Sequence, residues 1–185
     1  MKSCFPAERL PRPPQGHNII DPPVFCDVWD GPVVDPLTFD YTPFHLDAGV
    51  ERDEIKVQTA CLPFADPAYD DIYMAVQNKM LEVNDQFWKL DITTWNDELR
   101  INQSLPGDFF GWHTDYTDYD DTKLSFSLCL REAEGGDVVF RDQGAVHLQE
   151  GEFIVFPGCF PHRQLVVTEG ERYHLLGWLG GPRFI

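Results

Sequence analysis

The sequence predicts a mainly β protein, a double-sheet barrel of the jelly-roll kind with one supporting helix. Three observations carry that expectation. From residue 87 onward, short runs of β-forming residues recur at regular intervals, with turn residues between most of them. One segment ahead of them repeats apolar residues at the helical period. The stretch Leu124-Ser125-Phe126-Ser127-Leu128-Cys129-Leu130 alternates strictly, as a strand with two different faces must. Many short strands with a helix to cover one sheet arrange themselves in layers around a core. The 185 residues, 43% hydrophobic and 14% aromatic, suffice for a single domain spanning residues 1–185.

Within that domain, residues 1–65 read as an N-terminal arm and early strands, 66–90 as the supporting helix region, and 91–185 as the jelly-roll core. The arm is rich in Pro and Asp and holds only short β-prone pieces, such as Val24-Phe25-Cys26-Asp27-Val28-Trp29. Tyr69, Ile72, Tyr73, Val76, Met80, Val83 and Phe87 then recur at helical spacing. Asp66 is placed to cap the first turn, Pro67 sits where a missing N–H costs nothing, and Asp70 and Asp71 suit the positive end of the dipole. The apolar stripe of this helix has to cover a sheet. Strands are expected at 87–93, 98–103, 109–115, 123–130, 137–141, 144–148, 152–157, 162–167 and 172–179. In 123–130 the bulky face belongs to the core beneath the helix, while Ser125, Ser127 and Cys129 either line a cavity or face solvent. In the last strand Arg172, His174, Leu176 and Trp178 share a face.

The chemistry concentrates in Gly111-Trp112-His113-Thr114-Asp115, answered by Pro161-His162-Arg163 and by Gly170-Glu171-Arg172-Tyr173. In a strand, positions i and i+2 point the same way, so His113 and Asp115 present an imidazole and a carboxylate on one wall. His162 completes a face of three ligands. Two histidines and a carboxylate leave the other coordination positions open, which suits Fe(II) oxygenase chemistry rather than closed structural zinc. Arg172 supplies a permanently charged fork for a carboxylate. A second His-x-Asp pattern, His45-Leu46-Asp47, lies in a Pro- and Asp-rich segment without flanking β-formers and reads as a chance match. His17 and His147 read as surface or packing residues, and His174 as a pocket liner.

Other chemistries fit less well. Fourteen basic against thirty-one acidic residues give a net charge of −17, which repels nucleic acid and anionic membranes. The run Asp115, Asp118, Asp120, Asp121 lacks the glycine and distal glutamate of an EF-hand loop. No Gly-x-Ser-x-Gly elbow or phosphate-cradling loop occurs, and Cys159 near His162 has no thiolate-stabilising surroundings. Five widely spaced cysteines without a Cys-x-x-Cys pair, and an N-terminal stretch Met1 to Gly16 broken by charges and four prolines, point to a soluble cytoplasmic protein.

From Pro106-Gly107-Asp108 through Asp115, the Gly135-Gly136-Asp137 turn, Phe156-Pro157 with His162, and Val167 through Tyr173, the chain resembles the 2-oxoglutarate/Fe(II)-dependent dioxygenase superfamily, within it the prolyl 4-hydroxylase-like branch. The resemblance covers roughly residues 70–182. It implies a double-stranded β-helix core in which His113, Asp115 and His162 bind Fe(II) and Arg172 pairs with the distal carboxylate of 2-oxoglutarate, these four forming the catalytic set. O2 is the oxidant, ascorbate a candidate reductant, and an unactivated C–H bond the target, foremost in a prolyl residue of a peptide or protein. Trp178 falls where such enzymes often carry a tryptophan beside the cosubstrate. The tyrosines that relatives place around that carboxylate are missing here. Gln103, Ser104, Ser125 and Ser127 remain as candidate donors, and the sequence leaves open which of them serve. Two rivals stand beside this expectation: a hydroxylase of a free amino acid or other small molecule, and a non-catalytic jelly-roll metal-binding module.

Overall fold

The computed structural model describes residues 24–44, 55–116, 121–141 and 143–183. The helical period is realised as α1 (Asp70–Phe87), entered through a 3-10 turn at Pro67–Tyr69. Asp66 caps that turn rather than the α-helix itself, its carboxylate accepting from the Ala68 N–H at 3.0 Å. Ile72, Tyr73, Val76, Met80 and Val83 are buried along one stripe. Asn84, buried on the same stripe, turns the chain out of the helix: its side-chain amide donates to the Leu90 carbonyl and accepts from the Leu90 N–H, both at 2.9 Å. Phe87 is therefore the last helical residue, and the strand expected at 87–93 does not form.

In chain order the strands are β1 (Phe25–Val28), β2 (Thr42–Pro43), β3 (Ile55–Lys56), β4 (Gln58–Leu62), β5 (Thr94–Trp95), β6 (Leu99–Ser104), β7 (Phe109–His113), β8 (Thr122–Arg131), β9 (Glu134–Gly135), β10 (Val138–Phe140), β11 (Gly144–Val146), β12 (Glu152–Pro157), β13 (His162–Gln164), β14 (Val167–Glu169) and β15 (Arg172–Gly180). Among the described residues the larger sheet runs β1-β12-β8-β15-β6-β4-β2, with β5 also on β15, and the smaller runs β11-β10-β13-β7-β3. β9 and β14 form a separate ribbon. The pairings are antiparallel. Two departures from expectation bear on the site. The strand expected at 162–167 is divided into β13 and β14, and β7 stops at His113, short of Asp115. There the Asp115 and Tyr116 N–H groups both donate to the Gly158 carbonyl, at 2.9 and 3.0 Å, and draw the chain off the sheet.

Two cores hold the layers. Leu124, Phe126, Leu128 and Leu130 meet the α1 stripe on one side of the larger sheet. On the other side, Cys129, Ile154 and Phe156 meet Val138, Phe140 and Val146 of the smaller sheet. The two faces of β8 are thus both buried, and the serine face looks between the sheets, not at solvent. This is the jelly-roll arrangement that the strand pattern predicts. Phe126, 1% exposed, lies with its ring centroid 5.5 Å from that of Trp29 and 5.6 Å from that of Phe153. Phe126→Ala is expected to cost about 3–5 kcal/mol in urea unfolding; a loss under about 1 kcal/mol would show that the helix-side core closes without this ring.

No helix among the described residues is long and apolar enough to cross a membrane. Cys61, Cys129 and Cys159 are free thiols, whereas Cys26 is disulfide-bonded, which departs from the reduced state expected of a cytoplasmic chain.

Candidate metal centre and its pocket

β13 lies beside β7, and the register sets His162 directly opposite His113. Their ring centroids are 4.2 Å apart. Asp115, just past the end of β7, completes the group: Oδ1 lies 3.5 Å from His113 Nε2 and Oδ2 3.8 Å from His162 Nε2. The ligand atoms all fall within 4.8 Å of one another. Each imidazole is held in the same way, with Nδ1 2.9 Å from a carbonyl two residues earlier, Gly111 for His113 and Phe160 for His162. A carbonyl only accepts, so Nδ1 carries the proton and the Nε2 lone pair is left for the centre. Burial, aided by the neighbouring His162, pulls the His113 pKa below its ordinary value and favours the neutral ring that ligates.

Surrounding side chains fix the orientation. Ser125 Oγ donates to Asp115 Oδ2 at 2.5 Å. Phe110 lies 4.3 Å from the His113 ring centroid, and Phe156 4.8 Å from that of His162. Two neutral imidazoles and a carboxylate, without a thiolate, form a donor set that fits Fe(II) with positions left open. Cys159 takes no part, because burial pushes its thiol pKa up and keeps it protonated.

Arg172 opens β15 directly opposite Ser104 of β6. It is 7% exposed and has no carboxylate partner among the described residues. Its Nη1 donates to Gln164 Oε1 at 2.8 Å, and its Nη2 lies 3.2 Å from His174 Nδ1, which is also 2.8 Å from Ser127 Oγ. Gln164 Nε2 in turn donates to Ser104 Oγ at 3.0 Å. Burial lowers the guanidinium pKa to about 10, so it stays cationic at neutral pH. A buried cation held only by neutral groups lacks a counter-charge, and a carboxylate ligand fits that lack. Gly136, at φ +72, makes room for the arm: a Cβ there would sit 2.8 Å from Arg172 Cδ.

The structure distributes the sequence-predicted residues between two tasks. Ser104 and Ser127 join the network around Arg172, through Gln164 and His174. Ser125 is engaged by Asp115. Trp178 lies opposite Ser125, with the Arg100 guanidinium 5.7 Å over its ring, not beside Arg172. Gln103, a candidate donor, faces the opposite side of the sheet, where its Nε2 donates to Tyr173 Oη at 2.8 Å. His45 and Asp47, His17, and the loop aspartates Asp118 and Asp120 lie outside the described residues. Sequence reasoning missed Gln164; its signal was the i+2 relation to His162 on β13. Gln164→Glu would place a carboxylate on Arg172 and compete with an added one. We expect 2-oxoglutarate binding to weaken at least about tenfold in calorimetric titration, with Fe(II) affinity kept. Wild-type affinity in this variant would remove Arg172 as the anchor.

Residues 99–180 match the model of the 2OG-Fe(II) oxygenase superfamily. Over 87 residues the chain is 31% identical to a PKHD-type hydroxylase of Idiomarina loihiensis, a stretch that takes in 43% of this chain and 40% of that relative, so less than half of its length is matched. A prolyl-4-hydroxylase of Pseudomonas putida superposes with a TM-score of 0.62 at 20% identity, covering 78% of this chain and 79% of that one. A prolyl hydroxylase of Trichoplax adhaerens, solved in complex with a hypoxia-inducible-factor peptide fragment, gives 0.63 at 13% identity over 76% and 70%. At these identities the structural likeness is one of fold.

Proposed function

We propose that this chain belongs to the 2OG-Fe(II) oxygenase superfamily, whose model its residues 99–180 match, and that it is a 2-oxoglutarate- and Fe(II)-dependent dioxygenase hydroxylating a prolyl residue of a peptide or protein. One observation carries the reading: three convergent ligand atoms stand in the same inter-sheet space as a buried guanidinium without a counter-charge. A structural metal-binding module has use for the first feature and none for the second. The hydroxylase names of the relatives and the peptide held by the Trichoplax protein support the substrate class.

In this reading His113, Asp115 and His162 hold the metal, and Arg172 binds the distal carboxylate of the cosubstrate. With Fe(II) and 2-oxoglutarate bound, the site supplies the reduction of O2, one oxygen atom going to succinate as carbon dioxide leaves and the other to the substrate C–H bond as hydroxyl. The chain's own share is geometric. The Gly111 and Phe160 carbonyls keep both Nδ1 atoms protonated, and Ser125 holds the carboxylate still. Gln164 and His174 keep the guanidinium aimed without neutralising it. Phe110 packs on the His113 imidazole, and Phe140 and Phe156 on that of His162.

Anaerobic titration with Fe(II) and then 2-oxoglutarate, followed by visible absorption, tests the reading. A new weak band on adding the keto acid is expected, together with uncoupled consumption of 2-oxoglutarate in air. Bound iron without either signal would favour a metal-binding module.

A further inference from the structure

We propose that the outer face of the smaller sheet, turned away from the metal centre, is a docking surface for a short acidic peptide segment of a partner protein, gripped by Arg141 and Arg163 beside the ring of Trp112. Strand alternation sets this patch apart from the site. In β13 the side chains of His162 and Gln164 enter the space between the sheets, so Arg163 between them faces outward. In β10 Val138 and Phe140 belong to the inter-sheet core, so Val139 is turned out, directly opposite Arg163 on one side and Ala145 on the other. Trp112 precedes His113 at the end of β7 and is 38% exposed. Arg141 follows the end of β10, where its N–H donates to the Pro161 carbonyl at 2.9 Å. The larger sheet has α1 over it, whereas neither hydrophobic core takes in Trp112, Val139 or Ala145.

The charges on this face are placed against the trend of the chain. Thirty-one acidic residues stand against fourteen basic ones, so a cation on the surface meets a carboxylate readily. Lys56, Lys79, Arg100 and Arg183 each do so. Arg141 and Arg163 have no carboxylate partner among the described residues, and both are gathered over one indole ring, their guanidinium carbons 5.3 and 4.9 Å from the Trp112 centroid. Arg163 Nε is buried with no hydrogen-bond partner, so packing on the ring holds that arm, not an acceptor of its own. Two guanidiniums on one ring repel each other, and an anion bound between them offsets that repulsion.

The chemistry selects among anions. A guanidinium over an aromatic ring still presents its N–H edge, and a carboxylate matches that edge with two parallel hydrogen bonds. Trp112, Val139 and Ala145 add apolar surface beside the charges, which an inorganic anion leaves unused and an apolar side chain next to a carboxylate covers. A peptide segment carries both. Tryptophan and arginine are also the residue types in which binding energy at protein interfaces concentrates. The net charge of −17 repels a long polyanion such as nucleic acid, but at physiological salt that field is screened beyond about 8 Å, so a short segment responds to the two local cations.

The test uses the full chain without added metal or cosubstrate, so its outcome is independent of the hydroxylase reading. The probe is an end-capped, rhodamine-labelled decapeptide with a Glu-Leu-Glu centre in a Gly-Ser background, read by anisotropy beside its Gln-Leu-Gln counterpart. The wild type is expected to bind the acidic peptide at least about tenfold more tightly than the amide one, and Arg141→Gln combined with Arg163→Gln to abolish that preference. An unchanged thermal midpoint certifies the fold of the double variant; if it unfolds, Arg141→Gln alone, at an exposed position past the end of β10, should still weaken binding at least about threefold. Lysine at both positions keeps the charge and loses the planar fork, so full rescue by lysine overturns the forked grip on a carboxylate. Equal affinity for the two peptides, or binding indifferent to both arginines, overturns the docking surface. Displacement by a single-stranded oligonucleotide more readily than by unlabelled acidic peptide overturns the peptide class. A dimer in sedimentation that the double variant disperses gives the face to a second copy of this chain and overturns an external partner.

Discussion

Asp115→Ala removes Fe(II) binding under anaerobic titration, by more than about a hundredfold in affinity. The floor on that figure comes from outer-shell partners of metal ligands, whose loss alone costs about 10–100-fold. In the proposed site Asp115 would be a ligand, and it is the only carboxylate among the three grouped residues, so its loss leaves two imidazoles 4.2 Å apart with no negative charge to offset a dication. Ser125→Ala, which leaves the carboxylate and removes only its 2.5 Å hydrogen bond, gives the milder, outer-shell loss. The ordering of the two variants is the informative result. If Asp115→Ala kept wild-type iron affinity, the centre would lie elsewhere, with His45 and Asp47 the next pattern to examine; His45→Ala is expected to change nothing.

Arg172→Ala separates the two halves of the site. Iron affinity is kept, because no contact joins Arg172 to the three ligands, while 2-oxoglutarate affinity falls by roughly a hundredfold or more. Truncating one partner of a buried charge pair costs about 2–5 kcal/mol, and every 1.4 kcal/mol is about tenfold. Thermal unfolding gives an independent readout. A ligand at about 100 times its Kd stabilises the folded state by about 2.7 kcal/mol, and the variant should show almost none of that rise at the same concentration. Arg172→Met, which replaces the cation by a flexible apolar chain, is expected to raise the stability of the ligand-free protein, because it removes an uncompensated buried charge. A variant that bound 2-oxoglutarate normally would leave the guanidinium without a role.

How far the sequence could be read depended on the range of the interaction. Period and alternation are local, and so α1 and both faces of β8 were legible from residues 70–87 and 124–130. The end of the helix was not, because the residue that stops it, Asn84, acts by bonding to Leu90 across a turn that propensity does not register. The i, i+2 argument for His113 and Asp115 named a pair that the structure does bring together, but by an incomplete route. Asp115 is off the strand, and what brings it round is the Gly158 carbonyl from the distant β12–β13 turn.

The pocket shows the same division. By itself the sequence determined which donor atoms and charge the pocket can offer, since those of His113, Asp115, His162 and Arg172 are intrinsic to the residue types. It also determined that a small polar face, Ser125, Ser127 and Cys129, stood opposite a bulky one. Only the tertiary structure decided which hydroxyl serves which partner: Ser125 for Asp115, Ser127 for His174, Ser104 for Gln164. It also turned Gln103 to the other side of the sheet and set Arg100 between Phe44 and Trp178. Those assignments depend on register between strands far apart in the chain, and a shift of a single residue would reverse every one of them.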